Sequence, residues 1–336
     1  MAARIFYDWW MVAACLVIAV ISWGLGIFGI GVYLHAISET RGWSVGSISS
    51  AITVSVLLSS VASAFTGPAV GRFGPRPVMT LGALLMASGI FLTGRVSEPW
   101  HVYVAFSLSG LGYACLSVTT ITAALSPWFE KHQGRAMSSA MLGASIGGMI
   151  STPLLIYAIS RLGFEQALLW SALIALAVVL PLTLFVLKKS PGELGLHPDG
   201  ELPTQRTDEK PPRVWSRSEA LRTVAFVSVV IAFALGLGVQ VGFLTHHVTL
   251  AVPALGAGGA AFIVSVTAVA AFLGRVALAR WADQVDLRIT SALVLVLFCW
   301  LYDHFGGYRE ALLIAAALDL LAAAVVYAGR PKQAFS

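Results

Sequence analysis

The sequence predicts an all-α polytopic membrane protein, and three observations carry that prediction. Hydrophobic residues make up 58% of the 336-residue chain and charged residues only 11%, where a soluble domain carries about 25% charged. Nine apolar runs have spanning or near-spanning length. The polar segments between them are short, so the apolar surface has no single water-soluble core in which to hide. The mean hydropathy of +0.84 agrees.

The formal net charge of +5 does not point to nucleic acid, because the basic residues sit in short segments between apolar runs. Cys15, Cys115 and Cys299 each lie inside an apolar run with no partner at disulfide or metal spacing, and read as small core residues. Arg4 precedes a long apolar run without a small-residue cleavage site, so a retained first helix is expected rather than a signal peptide.

The first run covers 9–34 and carries Gly24, Gly26, Gly29 and Gly31, with His35 near its outer end. Small residues three or four apart let helices approach closely. Runs at 45–70 and 77–96 follow, then 102–125, whose "SVTTIT" stretch lines a polar path or bonds back to its own helix. The run at 136–159 holds Gly143, Gly147 and Gly148, read as packing positions, and Pro153, read as a bend. The sixth run is 167–187. Residues 188–222 are rich in Pro, Gly and charge and read as a cytoplasmic linker. The remaining runs are 224–245, 260–279 and 311–328.

A fourteen-residue stub at 289–302 lies between Arg288 and Asp303. As a helix it is about 21 Å long at roughly 1.5 Å per residue, short of the about 30 Å bilayer core. If the N-terminus is inside and the stub counts as a crossing, 17 of the 21 Lys and Arg residues fall inside and 4 outside, as the positive-inside rule demands. The predicted organisation is a six-helix N-terminal bundle (1–187), the linker (188–222) and a shortened C-terminal bundle (223–336), with both termini cytoplasmic.

Two loops repeat. "GPAVGRFGPRP" follows the second run of the first half, and "ARWADQVDLR" follows the second run of the second half. They align without gaps, Gly71 opposite Asp283, Arg72 opposite Gln284, Gly74 opposite Asp286 and Arg76 opposite Arg288. Parallel repeats about an axis along the membrane normal produce this pattern.

At these loops the sequence resembles the major facilitator superfamily of secondary transporters, which places a G-x-x-x-D-R-x-G-x-R loop between helices two and three and a weaker copy between eight and nine. The first copy keeps Gly67, Arg72, Gly74 and Arg76 but has Gly71 in place of the acid. The second keeps Asp283 and Arg288 but has Gln284 in place of the arginine. The resemblance implies a cytoplasmic conformational latch built from these residues together with Arg135. "FYDWWMVAACL", "PWFEKHQGRAMSSAMLGASIGG" and "SPGELGLHPDGE" look like the bacterial monocarboxylate and oxalate/formate branch. A major facilitator fold with a complete six-helix N-terminal half and a shortened C-terminal half is implied, about 10 crossings instead of 12. The stub then reads as the start of helix nine fused near 297–298 to the end of helix eleven, with helix ten missing. A bacterial inner membrane is the implied location.

Arg275, four residues before the cytoplasmic end of its run, has a planar fork suited to a carboxylate. The resembled group has a substrate-binding arginine at a matching place; the alternative is a side chain snorkelling to the interface. His246 and His247 either bind an anion or form a polar helix end. Asp319 is the one carboxylate deep in a run, and reads as a proton-coupling site or as a group facing a water-accessible gap. The lysine and aspartate that some monocarboxylate transporters use as a coupling pair align with Phe28 and Ala271, which argues against that form of proton coupling. The helix-eleven lysine of oxalate-type members falls in the missing part.

The sequence holds no HExxH, P-loop, Ser/His/Asp set or metal spacing. The expectation is therefore no enzyme, no cofactor, no metal and no ATP. It is a gradient-driven carrier whose partners are the lipid bilayer and a small organic anion, a monocarboxylate or dicarboxylate. The competing expectation is a non-transporting remnant or membrane scaffold.

Overall fold

The computed structural model describes residues 7–130 and 132–198, with isolated positions between 219 and 273. Among the described residues, six helices are long and apolar enough to cross a membrane. They are α1 (Tyr7–Arg41), α2 (Val45–Phe73), α3 (Pro75–Gly94), α4 (Pro99–Trp128), α5 (Gln133–Leu162) and α6 (Phe164–Val186). The linker from 199 to 218, the stub, and Arg275, His246, His247, Asp319, Asp283 and Arg288 lie outside the described residues.

The helix ends follow local chemistry. Gly42 closes α1 at φ 68°, a left-handed conformation that glycine adopts without a Cβ penalty. The Ser44 hydroxyl accepts from the Ser47 N–H at 3.2 Å and starts α2. Gly74 turns the chain at φ 88°, and Pro75 opens α3 with a pre-set φ. Pro99 opens α4, where the Glu98 N–H donates to His101 Nδ1 at 3.2 Å. Gly163 alone separates α5 from α6, at φ 81°.

The helices pack α1 on α5, α2 on α4, and α3 on both α4 and α6. Lipid supplies no hydrophobic drive between helices, so close backbone approach must supply dispersion instead. At α1–α5 a methyl group on Gly143 would strike the Leu16 carbonyl, one on Gly147 the Val20 carbonyl, and one on Gly24 the Ser151 side chain. At α3–α4 the same holds for Gly89 against Ser109 and Gly112 against Met86. Of the glycines read from the sequence as packing positions, Gly24, Gly143 and Gly147 sit where two backbones approach, whereas Gly26 and Gly148 meet the rings of Tyr113 and Phe28, and Gly29 meets Tyr33 of its own helix.

The outward faces are as apolar as the inner ones. Leu57, Val61 and Phe65 of α2 are each more than 60% exposed. The inner side holds Met11, Ile18, Leu34, Met79, Met86, Ile90 and Leu125, all fully buried.

Candidate functional site

Two helices lose their regular path at one level of the bundle. α1 widens to a π-helix over Ser22–Phe28. α4 breaks after Cys115, passes through an extended Ser117 (φ −77°, ψ 175°) and resumes at Val118. Each break frees backbone carbonyls, and a membrane interior has no water to satisfy them. Side chains do so here. Tyr33 Oη donates to the Leu25 carbonyl at 3.0 Å. The Ala114 carbonyl accepts from Ser117 Oγ at 2.8 Å and Thr120 Oγ1 at 3.1 Å. Ser22 Oγ reaches the Leu116 carbonyl at 3.4 Å and so joins the two breaks. Thr122 bonds back to Val118 at 2.7 Å. Of the two readings of "SVTTIT", these three side chains follow the one in which they serve their own helix.

The Trp23 and Tyr113 rings meet edge to face at 5.9 Å beside this junction. Gly26 makes the room: a Cβ there would lie 3.0 Å from the Tyr113 ring. Among the described residues, the buried Trp23 indole N–H and the buried Thr152 hydroxyl of α5 have no hydrogen-bond partner. The site therefore offers neutral donors. Charged residues of all six spans lie near helix ends: Asp8, Glu39 and Arg41 in α1, Arg72 in α2, Arg76 in α3, Arg135 and Arg161 in α5, and Glu165 in α6. Phe28, the position aligned with the coupling lysine, lays its ring against Gly148.

One end of the same bundle holds the residues of the first of the two repeated loops. Gly67 faces Thr119, whose methyl would be 3.9 Å from an added Cβ. Gly71 has open space around it, so packing does not exclude an acid there. Arg76 Nε donates to the Leu187 carbonyl, and Tyr7 Oη to the Val186 carbonyl. Lys189 Nζ donates to the Arg72 carbonyl at 3.1 Å and lays its stem beside Gly74. The α2–α3 loop is thus tied to the end of α6 and to the residues just after it. Arg135 stacks over Trp9 at 5.4 Å. Trp9 meets Phe129 at 5.8 Å and Tyr7 meets Trp128 at 5.6 Å. "FYDWW" and "PWF" are therefore two halves of one aromatic plate. At the opposite end Arg95 pairs with Glu165 at 3.1 Å.

A bundle of closely packed helices long enough to span a membrane, with paired discontinuities and a tied loop at one end, defines a polytopic membrane protein. A sequence profile of the Major Facilitator Superfamily matches residues 14–329. The chain belongs to that superfamily, a family of transporters, and is an integral membrane protein with multiple helical spans. It is 29% identical over 146 residues to the uncharacterized MFS-type transporter YcxA of Bacillus subtilis, covering 43% of this chain and 36% of that one. It is 27% identical over 175 residues to human monocarboxylate transporter 7, covering 52% and 33%. Multidrug resistance protein MdtH of Yersinia enterocolitica is 30% identical over 123 residues, covering 35% and 31%. The chain spans about a third of the length of these curated relatives. Its fold matches a bacterial homologue of the human lysosomal transporter Spinster (TM-score 0.63, 14% identity, 97% of this chain and 75% of that one). It also matches a D-xylose–proton symporter (TM-score 0.59, 16% identity, 97% and 80%).

Proposed function

We propose that the protein is a secondary active transporter of a small organic anion, working by alternating access between the six-helix bundle (1–187) and the shortened bundle (223–336), joined by a cytoplasmic linker (188–222). The observation that carries this reading is the absence of charge from the middle of α1–α6, beside unpaired neutral donors at Trp23 and Thr152. Such a wall orients an anion through neutral hydrogen bonds but does not neutralise it. The neutralising group must come from the other half. Arg275 is the basic residue inside a predicted run there, and its fork suits a carboxylate. Likeness to monocarboxylate transporter 7 supports the same substrate class. His246 and His247 are secondary anion contacts, and Asp319 is the candidate for proton coupling. Arg72, Arg76, Arg135, Asp283 and Arg288, with Gly67 and Gly74, form the latch that favours one of the two states.

A second reading, a remnant or scaffold that does not transport, is favoured by the short stub. The solved Spinster homologue is matched over 75% of its length by 97% of this chain, which supports the idea of a missing piece. One experiment addresses both readings. Proteoliposomes carrying the 336-residue protein are compared with a version bearing about 70 further residues between Leu297 and Phe298 from a full-length relative, the difference between the two halves. The extended version is expected to take up small carboxylates saturably, and Arg275→Lys in it to abolish uptake at unchanged protein level. Undiminished uptake by that variant returns Arg275 to an interfacial role. Gradient-driven uptake by the unmodified chain shows that the shortened half suffices.

A further inference from the structure

Between α3 and α6, at the end where the latch loop lies, a groove of about 430 Å³ is lined by Arg76, Pro77, Thr80, Leu81, Leu84 and Leu184. Its walls are apolar and outward: Leu81 is 52%, Leu84 45% and Leu184 48% exposed. The groove has an identifiable origin. Pro181 cannot donate to the helical ladder, and α6 widens into a π-helix over Leu182–Val186, ending at an extended Leu187. Thr80 and Thr183 bond across the floor at 3.0 Å and hold the two helices together beneath it.

The mouth is basic. Arg76 uses Nε on the Leu187 carbonyl, and its terminal NH₂ groups have no partner among the described residues. Lys189 crosses the α2–α3 turn to Arg72, and Lys188 precedes it in the chain. Arg72 stacks over the outward Phe73 ring at 5.1 Å. Glu193 lies beside Lys189, with an oxygen 3.4 Å from the Lys189 N–H. Four basic residues, set where an apolar groove leaves the bilayer, match a molecule with an anionic head and an acyl tail.

We propose that this groove is a binding site for an anionic phospholipid of the cytoplasmic leaflet, its phosphate on Arg76 and Lys189 and an acyl chain along Leu81, Leu84 and Leu184. The site lies on the outer face of the six-helix bundle and does not depend on which solute the protein carries. A lipid held there bears on Arg76, which also grips the end of α6.

The test uses the full chain, purified in detergent and exposed to phosphatidylglycerol or phosphatidylcholine with identical acyl chains. Retained lipid is counted by native mass spectrometry. Phosphatidylglycerol is expected to be retained several-fold better, at one molecule per chain. Glycerol 3-phosphate, the head without tails, should not displace it at matched concentration. Arg76→Gln combined with Lys189→Gln should erase the preference. Because Arg76 also ties α6, Leu84→Trp provides a second test: it fills the groove from an exposed position with every charge in place. Loss of retention in either variant supports the site. Equal retention of the two lipids, displacement by glycerol 3-phosphate, or undiminished preference in both variants overturns it.

Discussion

The Tyr33 hydroxyl donates to the Leu25 carbonyl at 3.0 Å, eight residues back along the same helix. The bond reaches from the regular turn after the π-helix of α1 to a carbonyl in its middle. Tyr33→Phe keeps the ring and removes that donor from the buried carbonyl. Intramembrane hydrogen bonds average about 0.6 kcal/mol and reach about 1.7, and an orphaned buried acceptor costs about 1–3. A loss of about 1–2 kcal/mol is expected by denaturant titration in mixed micelles. Tyr157→Phe, on the exposed face of α5, should change stability by less than about 0.5 kcal/mol.

The α1–α5 contact leaves no room for a side chain at Gly143, where an added Cβ meets the Leu16 carbonyl. Gly143→Val must separate two backbones, and overpacking of this kind costs about 1–3 kcal/mol or more. The expected readout is loss of the monodisperse peak in detergent size-exclusion chromatography. Gly46, with nothing within 4 Å, is the control. Gly46→Ala should be neutral or stabilising by up to about 1 kcal/mol.

Gly71 stands where the superfamily carries an acid, and open space surrounds it. Gly71→Asp should therefore fold. A carboxylate in the last turn of α2 opposes the helix dipole by about 0.3–1 kcal/mol, and the neighbouring Arg72 and Arg76 offset part of that. Thermal stability within a few degrees of the parent is the expected outcome. A collapse in yield would mean that the loop cannot accept the acid.

With the stub counted as a crossing, the 17-to-4 division of basic residues predicts a cytoplasmic linker. A cysteine at Gly200 should resist an impermeant thiol reagent in intact cells, and one at Gly306 should react. Labelling at Gly200 reverses the orientation, and protection at Gly306 removes the stub from the list of crossings.

Much of this bundle was legible in the sequence because each span is a long apolar run closed by glycine, proline or charge. The α2–α3 turn at Gly74 and the α5–α6 turn at Gly163 are such places. The glycines of α1 and α5 were legible as close contacts for the same reason. The π-helix at Ser22–Phe28 was not, because a shift from four- to five-residue hydrogen bonding leaves no mark in a run apolar on every side. Nor was the α4 break. "SVTTIT" signalled polarity, but only the fold shows Thr120 returning to Ala114. Trp23 lies unmarked inside the first apolar run, because an indole N–H matters only once its surroundings fail to supply an acceptor. The aromatic plate joins Tyr7 and Trp9 to Trp128 and Phe129, about 120 residues away, a separation no local pattern encodes.

The bond from Tyr7 to the Val186 carbonyl joins positions 179 residues apart and ties the start of α1 to the end of α6. It also sets an order in synthesis. The tie cannot form until α6 has been made, and it requires no residue beyond Val186. The 150 residues from 187 to 336 are made after it, and at about 5–20 residues per second they take about 8–30 s. During that interval the first bundle can already be closed in the membrane, so the later helices emerge against a finished neighbour rather than among six loose ones.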